Sequence, residues 1–337
     1  MRGAVGRVGG ALVLAGALGC GRSSKPAAAG AAEPRWCDAI PRPEFSRLER
    51  VATNGDWFDV YRVDPGVFAI AEPNQYQEVI SYLIVGTERA LLFDTGLGLV
   101  PIRPVIAELT KLPVTVLNSH THYDHVGGNA EFENILAIDT DYTRANSRGF
   151  AGGLLAGEVA DEAFCRRPRG FDPAVYSIKP YGPTDFIRDG YRIDLGGRAL
   201  EVLQVPGHTP DAVAVVDSAA GLLWTGDTFY LAPIWLYVPE TDLEKYSASV
   251  DRLATLAPRM RMVLGAHNIA QADPTRLGAL QKALARVRAG EMTPVDKGDG
   301  KIEFLFEGFS ILTAPQVLAG QRGNIAGGGS GLSTWTK

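Results

Sequence analysis

The sequence predicts a layered α/β domain in which helices pack on β-sheets. Two sets of short apolar runs with strand-like composition lie on either side of an aromatic-rich stretch, and segments with helical spacing occur between them. Such a mixture of strands and helices is typical of layered α/β architectures. Of the 337 residues, 46% are hydrophobic and 21% are charged, so the chain can bury a sizeable core and does not resemble a disordered polymer.

The N-terminus, residues 1–20, has the layout of a secretory signal peptide. Arg2 and Arg7 precede an apolar run that is too short to span a bilayer. Residues 17–20, Ala-Leu-Gly-Cys, resemble a bacterial lipobox, so Cys20 is the predicted lipidation site; a plain signal peptide is the alternative. We therefore expect an exported protein, a lipoprotein of the bacterial periplasm or outer membrane and otherwise secreted, with a lipid anchor contacting the membrane surface if Cys20 is modified.

Three segments follow the predicted signal peptide. Residues 21–50 begin with Ala, Gly, Ser and Pro and are predicted to be a flexible tether, residues 51–315 carry the folded domain, and residues 316–337 form a disordered tail. An exported chain meets an oxidising compartment, in which Cys37 and Cys165 can pair. Two unrelated buried thiols are the alternative, because pairing requires a proximity that the sequence does not give.

The elements of the domain follow in order. Apolar and β-branched runs predict a first set of strands at residues 58–63, 67–71, 79–85, 90–93 and 114–117. Similar runs predict a second set at residues 200–205, 212–216, 222–224 and 262–264, and a strand pair at residues 302–311. Apolar residues at helical spacing predict helices at residues 101–110, 243–256 and 274–287. The stretch around residues 140–190 interrupts this order with aromatic residues among Gly and Pro, and is predicted to be a lid-like insertion.

A cluster of metal-ligating residue types follows one predicted strand. The segment from His120 to His125 contains three histidines and one aspartate in six residues. Imidazole and carboxylate are the ligands that Zn²⁺ favours where no thiolate is offered. Alternate side chains of an extended segment point the same way, so His120 and His122 can face one metal. A turn after Tyr123 would let Asp124 and His125 face a second metal.

The other two histidines of the chain occupy similar positions. His208 and His267 each follow a predicted strand, and Asp227 follows a third. Strand ends are where α/β sheets commonly place their sites. A single histidine is often a hydrogen-bonded structural residue, so each of these three residues would be an ambiguous candidate if taken alone.

The motifs HTHYDH, PGHT, GDT and GAH, in this order, resemble the metallo-β-lactamase superfamily over about residues 57–290. The resemblance implies a four-layer αββα sandwich with a dinuclear metal site at one edge. Asp94, in the segment LFDTG, matches a position that supports the site without binding metal. The ligand set implied by the resemblance is His120, His122 and His208 for one metal, Asp124, His125 and His267 for the other, and Asp227 as the bridge.

A two-metal site can hold a bridging hydroxide at neutral pH and polarise a carbonyl oxygen, so we expect a hydrolase with two Zn²⁺ ions, with Fe or Mn as alternative metals. The resemblance implies that Asp124 also accepts a proton from the attacking water. True β-lactamases have Cys or Ser where this chain has Asp227, which favours an ester, thioester or lactone over a β-lactam. Tyr230 resembles a tyrosine of lactonase and thioesterase-like members that reaches the substrate; packing in the pocket is the alternative.

We expect a small-molecule substrate with an apolar or acyl part. The aromatic residues that could line a pocket for it, or merely pack the insertion, are Phe150, Phe164, Phe171, Tyr176, Tyr181, Phe186 and the segment 233–237. A net charge of −5, from 33 basic and 38 acidic residues, argues against a nucleic-acid partner. Two further alternatives are a mononuclear iron persulfide dioxygenase and a metal-binding lipoprotein without catalysis. The complete ligand set argues against both.

Overall fold

The computed structural model describes residues 36–321. The predicted signal peptide, its Cys20, the first part of the tether and most of the tail lie outside the described residues. No helix within residues 36–321 is long and apolar enough to cross a membrane.

The segment 36–50 differs from the predicted flexible tether. It contains two 3-10 helices, Trp36–Ala39 and Pro43–Arg47. A disulfide joins its Cys37 to Cys165, which resolves the open question of pairing in favour of a bond. The disulfide joins residues that are 128 positions apart, so the composition of the segment does not reveal it.

Eight strands form the first sheet in chain order. Their bounds are β1 Glu49–Val51, β2 Asp59–Asp64, β3 Val67–Ala71, β4 Ile80–Val85, β5 Ala90–Phe93, β6 Val114–Leu117, β7 Ile135–Ile138 and β8 Asp185–Ile187. Pairing is antiparallel from β1 to β5 and parallel from β5 to β8. Parallel neighbours require crossover connections, and the predicted insertion is largely the crossover between β7 and β8, with β8 inside its predicted range.

The remaining strands form two further sheets. Their bounds are β9 Arg192–Asp194, β10 Ala199–Gln204, β11 Val213–Asp217, β12 Leu222–Gly226, β13 Pro233–Leu236, β14 Met262–Gly265, β15 Val295–Gly298, β16 Lys301–Phe306 and β17 Phe309–Thr313. The second sheet has the order β14-β12-β11-β10-β9, and the third has the order β13-β17-β16-β15. The third sheet extends the predicted strand pair β16–β17 on both sides.

Within the described part of the chain, six α-helices accompany the sheets: α1 Arg103–Leu109, α2 Tyr123–Val126, α3 Asp141–Asn146, α4 Leu243–Leu256, α5 Thr275–Arg288 and α6 Pro315–Leu318. Between α3 and β8 the crossover contains four 3-10 helices, Gly152–Leu155, Gly157–Val159, Asp161–Ala163 and Pro173–Val175.

The layer order follows from the alternation of buried side chains along the strands. Tyr82 of β4 and Val215 of β11 belong to one apolar core between the first two sheets. Leu83, which follows Tyr82, points to the opposite face of the first sheet and belongs to a second core shared with α1. Ala214, which precedes Val215, belongs to a third core shared with α4 and α5. Helix, sheet, sheet and helix therefore stack as an αββα sandwich, as the sequence predicts, and the small third sheet packs into the core beside α4 and α5.

Candidate metal centre

All seven predicted ligands lie in connections that leave the C-terminal ends of strands. The strand β6 leads to the segment from His120 to His125, and β10 leads to His208. Asp227 directly follows β12, and His267 lies two residues after β14. The two sheets face each other, so these connections converge at one edge of the sandwich, where the side chains are buried or nearly so.

Three histidines form the first group. The Nε2 atom of His120 lies 2.8 Å from Nδ1 of His122, and Nε2 of His208 lies 3.2 Å from the same atom. Oδ2 of Asp227 lies 3.9 Å from Nε2 of His120 and 3.5 Å from Nε2 of His208. Four potential ligand atoms therefore surround one point.

The second group uses the other oxygen of Asp227. Its Oδ1 atom lies 3.0 Å from Nε2 of His267 and 3.5 Å from Nε2 of His125. Oδ2 of Asp124 lies 3.4 Å from Nε2 of His125 and 3.6 Å from Nε2 of His267. One carboxylate thus faces both groups, each with a different oxygen, as a bridging ligand would.

The spacing and the chemistry of both groups fit divalent metal ions. Ligand atoms at about 2.0–2.1 Å from a tetrahedral Zn²⁺ lie roughly 3.3 Å from one another, within the range found here. Nε2 of His125 and Oδ1 of Asp227 are buried, and neither has a hydrogen-bond partner among the residues that the structure describes. Buried polar atoms of this kind require a partner, and an ion between them supplies one. The groups could therefore hold metal.

Each histidine presents one ring nitrogen to its group and uses the other nitrogen elsewhere. His122 presents Nδ1, whereas the other four histidines present Nε2. The outward nitrogens lie within hydrogen-bond distance of Oγ of Ser119 for His120, Oε1 of Glu240 for His122, Oδ2 of Asp94 for His125, and the carbonyls of Trp235 and Gln77 for His208 and His267. Such outer contacts fix the tautomer and the orientation of a metal-binding imidazole.

Asp94 lies beside His125, where the sequence resemblance implies a supporting carboxylate. Its Oδ2 lies 3.0 Å from Nδ1 of His125, and its Oδ1 accepts a 2.6 Å hydrogen bond from the backbone N–H of Ser119. Asp94 has a φ of 67°. Few residues other than glycine adopt this conformation without such anchoring contacts.

Glu240 is a contact residue that the sequence did not reveal. Its Oε1 atom lies 2.8 Å from Nε2 of His122 and accepts a 2.7 Å hydrogen bond from the Tyr142 hydroxyl. Burial alone would raise the pKa of Glu240, but the hydrogen bond and charge of His122 outweigh it and lower the pKa to about 2. No local motif marks Glu240, because the chain brings it to His122 from 118 residues away.

Tyr230 lies against the second group without reaching into it through its hydroxyl. The ring centroids of Tyr230 and His267 are 4.9 Å apart. The hydroxyl of Tyr230 donates a 2.8 Å hydrogen bond to the carbonyl of Pro233. The ring therefore forms part of the wall beside the candidate metal centre, and a direct role of the phenol in catalysis stays a prediction.

A cavity of about 180 Å³ opens beside the second group. Its lining residues are Trp36, Arg42, Tyr76, Gln77, Glu78, Tyr230, Leu231, Ala232, Pro233, Trp235, His267 and Asn268. Pro233 and Trp235 belong to the predicted segment 233–237. The six aromatic residues of the insertion do not line this cavity, which favours the alternative that they pack the insertion onto the domain. Phe164 instead packs against Trp57 and Phe171, at centroid distances of 6.3 Å and 6.0 Å.

The insertion is fastened to the domain by a buried polar network. The Tyr76 hydroxyl donates a 2.7 Å hydrogen bond to Oε2 of Glu158, which lies in the insertion. Nε2 of Gln77 donates to the Tyr123 hydroxyl at 2.6 Å. Burial raises the pKa of Glu158 to about 7, although the hydrogen bonds from Tyr76 and Tyr123 act in the opposite direction.

Comparison with known proteins agrees with the site geometry. A family model described as "Metallo-beta-lactamase superfamily" matches residues 78–267, more than half of the chain. The acyl-coenzyme A thioesterase MBLAC2 of Gallus gallus is 26% identical over 223 residues, which cover 60% of this chain and 77% of the relative. A hydroxyacylglutathione hydrolase of a Synechococcus strain is 32% identical over 162 residues, covering 48% of this chain and 52% of the relative.

Solved structures share the fold. The metallo-beta-lactamase family protein TTHA1429 of Thermus thermophilus superimposes with a TM-score of 0.51 at 22% identity, covering 69% of this chain and 85% of that protein. The sec-alkylsulfatase Pisa1 of a Pseudomonas species also gives a TM-score of 0.51, at 18% identity over 68% of this chain and 42% of its own. At these identities the likeness concerns the sandwich and not the substrate.

Proposed function

The chain belongs to the metallo-β-lactamase superfamily as a metallo-hydrolase, and from that premise we propose that it hydrolyses an ester, thioester or lactone-type carbonyl with two zinc ions. The observation that carries the proposal is the position of Asp227 between two groups of ligands, one facing each carboxylate oxygen. When bound, two such ions supply a nucleophilic hydroxide near neutral pH and stabilise the charge that develops on the carbonyl oxygen.

The protein's own residues prepare the site for this reaction. His120, His122 and His208 would hold one ion, and Asp124, His125 and His267 would hold the other. Burial alone would raise the pKa of Asp227, but the charges of His267 and His125 lower it well below its usual range. Asp227 is therefore a carboxylate at neutral pH in the metal-free protein, ready to bind a cation. Asp124 would accept the proton that the attacking water loses.

Acyl substrates are supported by the cavity and by the relatives. The cavity that borders His267 has a largely apolar wall, formed mainly by Trp36, Trp235 and residues 230–233. Burial of an acyl chain against this wall would be favourable, whereas burial of a bare phosphate or sulfate would not. The relatives named as an acyl-coenzyme A thioesterase and a hydroxyacylglutathione hydrolase act on thioesters by those names.

A substrate panel tests the proposal. The zinc-loaded protein would be assayed with acyl thioesters, aryl esters, lactones and a β-lactam, with Asp124→Ala as the control that removes a ligand. We expect turnover of at least one thioester or ester, and a loss of roughly 10³-fold or more in Asp124→Ala, the scale of effects seen when a central catalytic group is removed. Hydrolysis of the β-lactam alone, or no turnover by the zinc-loaded protein, would contradict the proposal.

We also propose that the protein is exported and anchored through Cys20. The basic start and short apolar run of residues 1–20 support this, and the Cys37–Cys165 disulfide is a bond that persists in oxidising compartments. Labelling with a radioactive fatty acid in a bacterial host tests it. We expect the wild type to incorporate the fatty acid and Cys20→Ser not to incorporate it. Wild-type protein that carries no label and stays in the cytoplasm would contradict export and anchoring.

A further inference from the structure

Part of the substrate cavity is built by a segment outside the family domain. The family match begins at residue 78, yet Trp36 and Arg42 line the same cavity as Tyr230 and His267. The segment 36–42 therefore adds to the pocket a wall that the family motifs do not specify. Trp36 contributes the largest apolar side chain of that wall.

The segment 36–42 is attached to the rest of the domain through Cys37 and through Arg42. The Cys37–Cys165 disulfide joins it to the insertion across 128 residues of chain. Arg42 makes a two-pronged ion pair with Glu78, with Nε 2.6 Å from Oε2 and Nη2 2.5 Å from Oε1. Glu78 is buried, so its pairing with Arg42 matters more than an exposed ion pair would.

The ion pair of Arg42 and Glu78 also connects the segment 36–42 to the candidate metal centre. Oε1 of Glu78 accepts a 2.9 Å hydrogen bond from Nδ2 of Asn268, the residue that follows His267. One side of the cavity thus ends at a predicted metal ligand, and another side ends at Trp36. The Trp36 indole packs against the apolar core beside the first sheet, and its Nε1 lies 3.5 Å from the carbonyl oxygen of Glu162. A wall that is already ordered reduces the entropy lost when an apolar chain packs against it.

We propose that residues 36–42 form a selecting wall that favours substrates with a longer apolar acyl chain, and that the Cys37–Cys165 disulfide holds this wall against the pocket. The proposal deepens the function proposed above and rests on acyl compounds being its substrates. Trp36 and Arg42 are specificity-determining residues and take no part in bond breaking. A short acyl group such as acetyl has too little apolar surface to benefit from the wall.

The experiment compares long and short acyl groups in the full-length zinc-loaded protein. KM and kcat would be measured for decanoyl and acetyl thioesters, and the binding of decanoate and acetate would be measured by calorimetry. Trp36→Ala is expected to weaken decanoate binding and raise KM for the decanoyl thioester by about tenfold, the effect of losing roughly 55 Å² of apolar contact. KM for the acetyl thioester and the binding of acetate should change by much less than the tenfold expected for the decanoyl compounds, and the zinc content should stay at the wild-type value.

Two further variants sharpen the test. The double variant Cys37→Ser/Cys165→Ser should shift the decanoyl preference in the same direction as Trp36→Ala. Tyr191→Ala removes an aromatic ring that is 41% exposed and does not line the cavity, so it should leave the preference unchanged.

The outcomes separate the two proposals. The selecting wall would be overturned if the ratio of kcat/KM for the decanoyl and acetyl thioesters stays at the wild-type value in both Trp36→Ala and the double variant. Circular dichroism and zinc content must also be unchanged in both variants. Decanoate binding that weakens in both variants, in a protein that hydrolyses no thioester or ester, would support the wall and overturn the proposed hydrolysis.

Discussion

Oε1 of Glu240 lies 2.8 Å from Nε2 of His122, on the side of the ring that faces away from the other histidines. His122 presents Nδ1 inward, unlike its four counterparts, so its outer nitrogen points in a different direction and needs an acceptor there. Glu240 supplies that acceptor, and the Tyr142 hydroxyl orients Glu240 in turn. Contacts of this kind tune the affinity of a site for its metal.

The first prediction concerns Glu240 itself. Glu240→Ala should weaken zinc binding by about 10–100-fold, because the ring of His122 loses the partner that fixes its orientation. Competition with a chromogenic chelator measures the affinity. Glu240→Gln keeps an acceptor oxygen and should recover part of the affinity, and Tyr142→Phe should cost less than Glu240→Ala. An unchanged affinity in Glu240→Ala would show that the contact does not support the site.

The second prediction concerns the turn before His208. Gly207 has a φ of +138°, and a Cβ atom there would lie 2.2 Å from the backbone nitrogen of Tyr246 in α4. Gly207→Ala should therefore displace the loop, lower the free energy of unfolding by about 2 kcal/mol or more, and reduce zinc binding through His208. Urea unfolding and metal analysis check both effects.

The matched control for that prediction is Gly153→Ala. Among residues 36–321, no heavy atom beyond the immediate chain neighbours lies within 4 Å of a Cβ built on Gly153, and its φ does not lie in the left-handed range. The control should be as stable as the wild type or slightly more stable, and it should keep the wild-type zinc content. Equal behaviour of the two alanine variants would mean that the close approach of Gly207 to α4 does not position His208.

The third prediction is a pH dependence from Glu158. Burial raises the pKa of Glu158 from 4.5 to about 7, so the folded protein binds more protons than the unfolded chain between these values. Glu158 should therefore make the metal-free protein less stable as the pH rises from about 4.5 to about 7, the interval between the pKa of this carboxyl group in the unfolded and in the folded chain. The metal-free form is specified because nearby divalent ions would lower this pKa.

Glu158→Gln should flatten that dependence and raise the melting temperature at pH 8 by about 2–4 °C relative to the wild type. Burial also raises the pKa of Glu72 to about 7, so a residual slope should remain in the variant. Thermal unfolding followed by circular dichroism at several pH values measures both curves. Parallel curves for variant and wild type would show that Glu158 does not titrate in this window.

The sequence predicts the parts of this structure that are encoded locally. The helix over residues 243–256 matches α4 residue for residue, because its apolar positions recur at helical spacing and Asp242 caps it, accepting a 3.0 Å hydrogen bond from the backbone of Lys245. The segment from His120 to His125 also predicts a metal site, since a dense run of histidines after a strand is typical of one. The structure brings the seven predicted ligands together.

Contacts between distant parts of the chain escaped prediction. Strand β13 pairs with β17 in parallel, a pairing that neither segment indicates by its own composition. Glu240 and Trp36 reach the site through chain folding, and their local sequence carries no signal of it. The aromatic residues of the insertion were equally compatible with a pocket and with packing, and only the fold decides between the two.

The metal content of the purified wild-type protein tests the central claim most directly. Two zinc ions per chain are predicted, with a fall to one or none in Asp227→Ala, because Asp227 faces both ligand groups with different oxygens. Elemental analysis of matched wild-type and variant preparations gives both values. A single iron ion per wild-type chain, retained in Asp227→Ala, would contradict the dinuclear hydrolase described here.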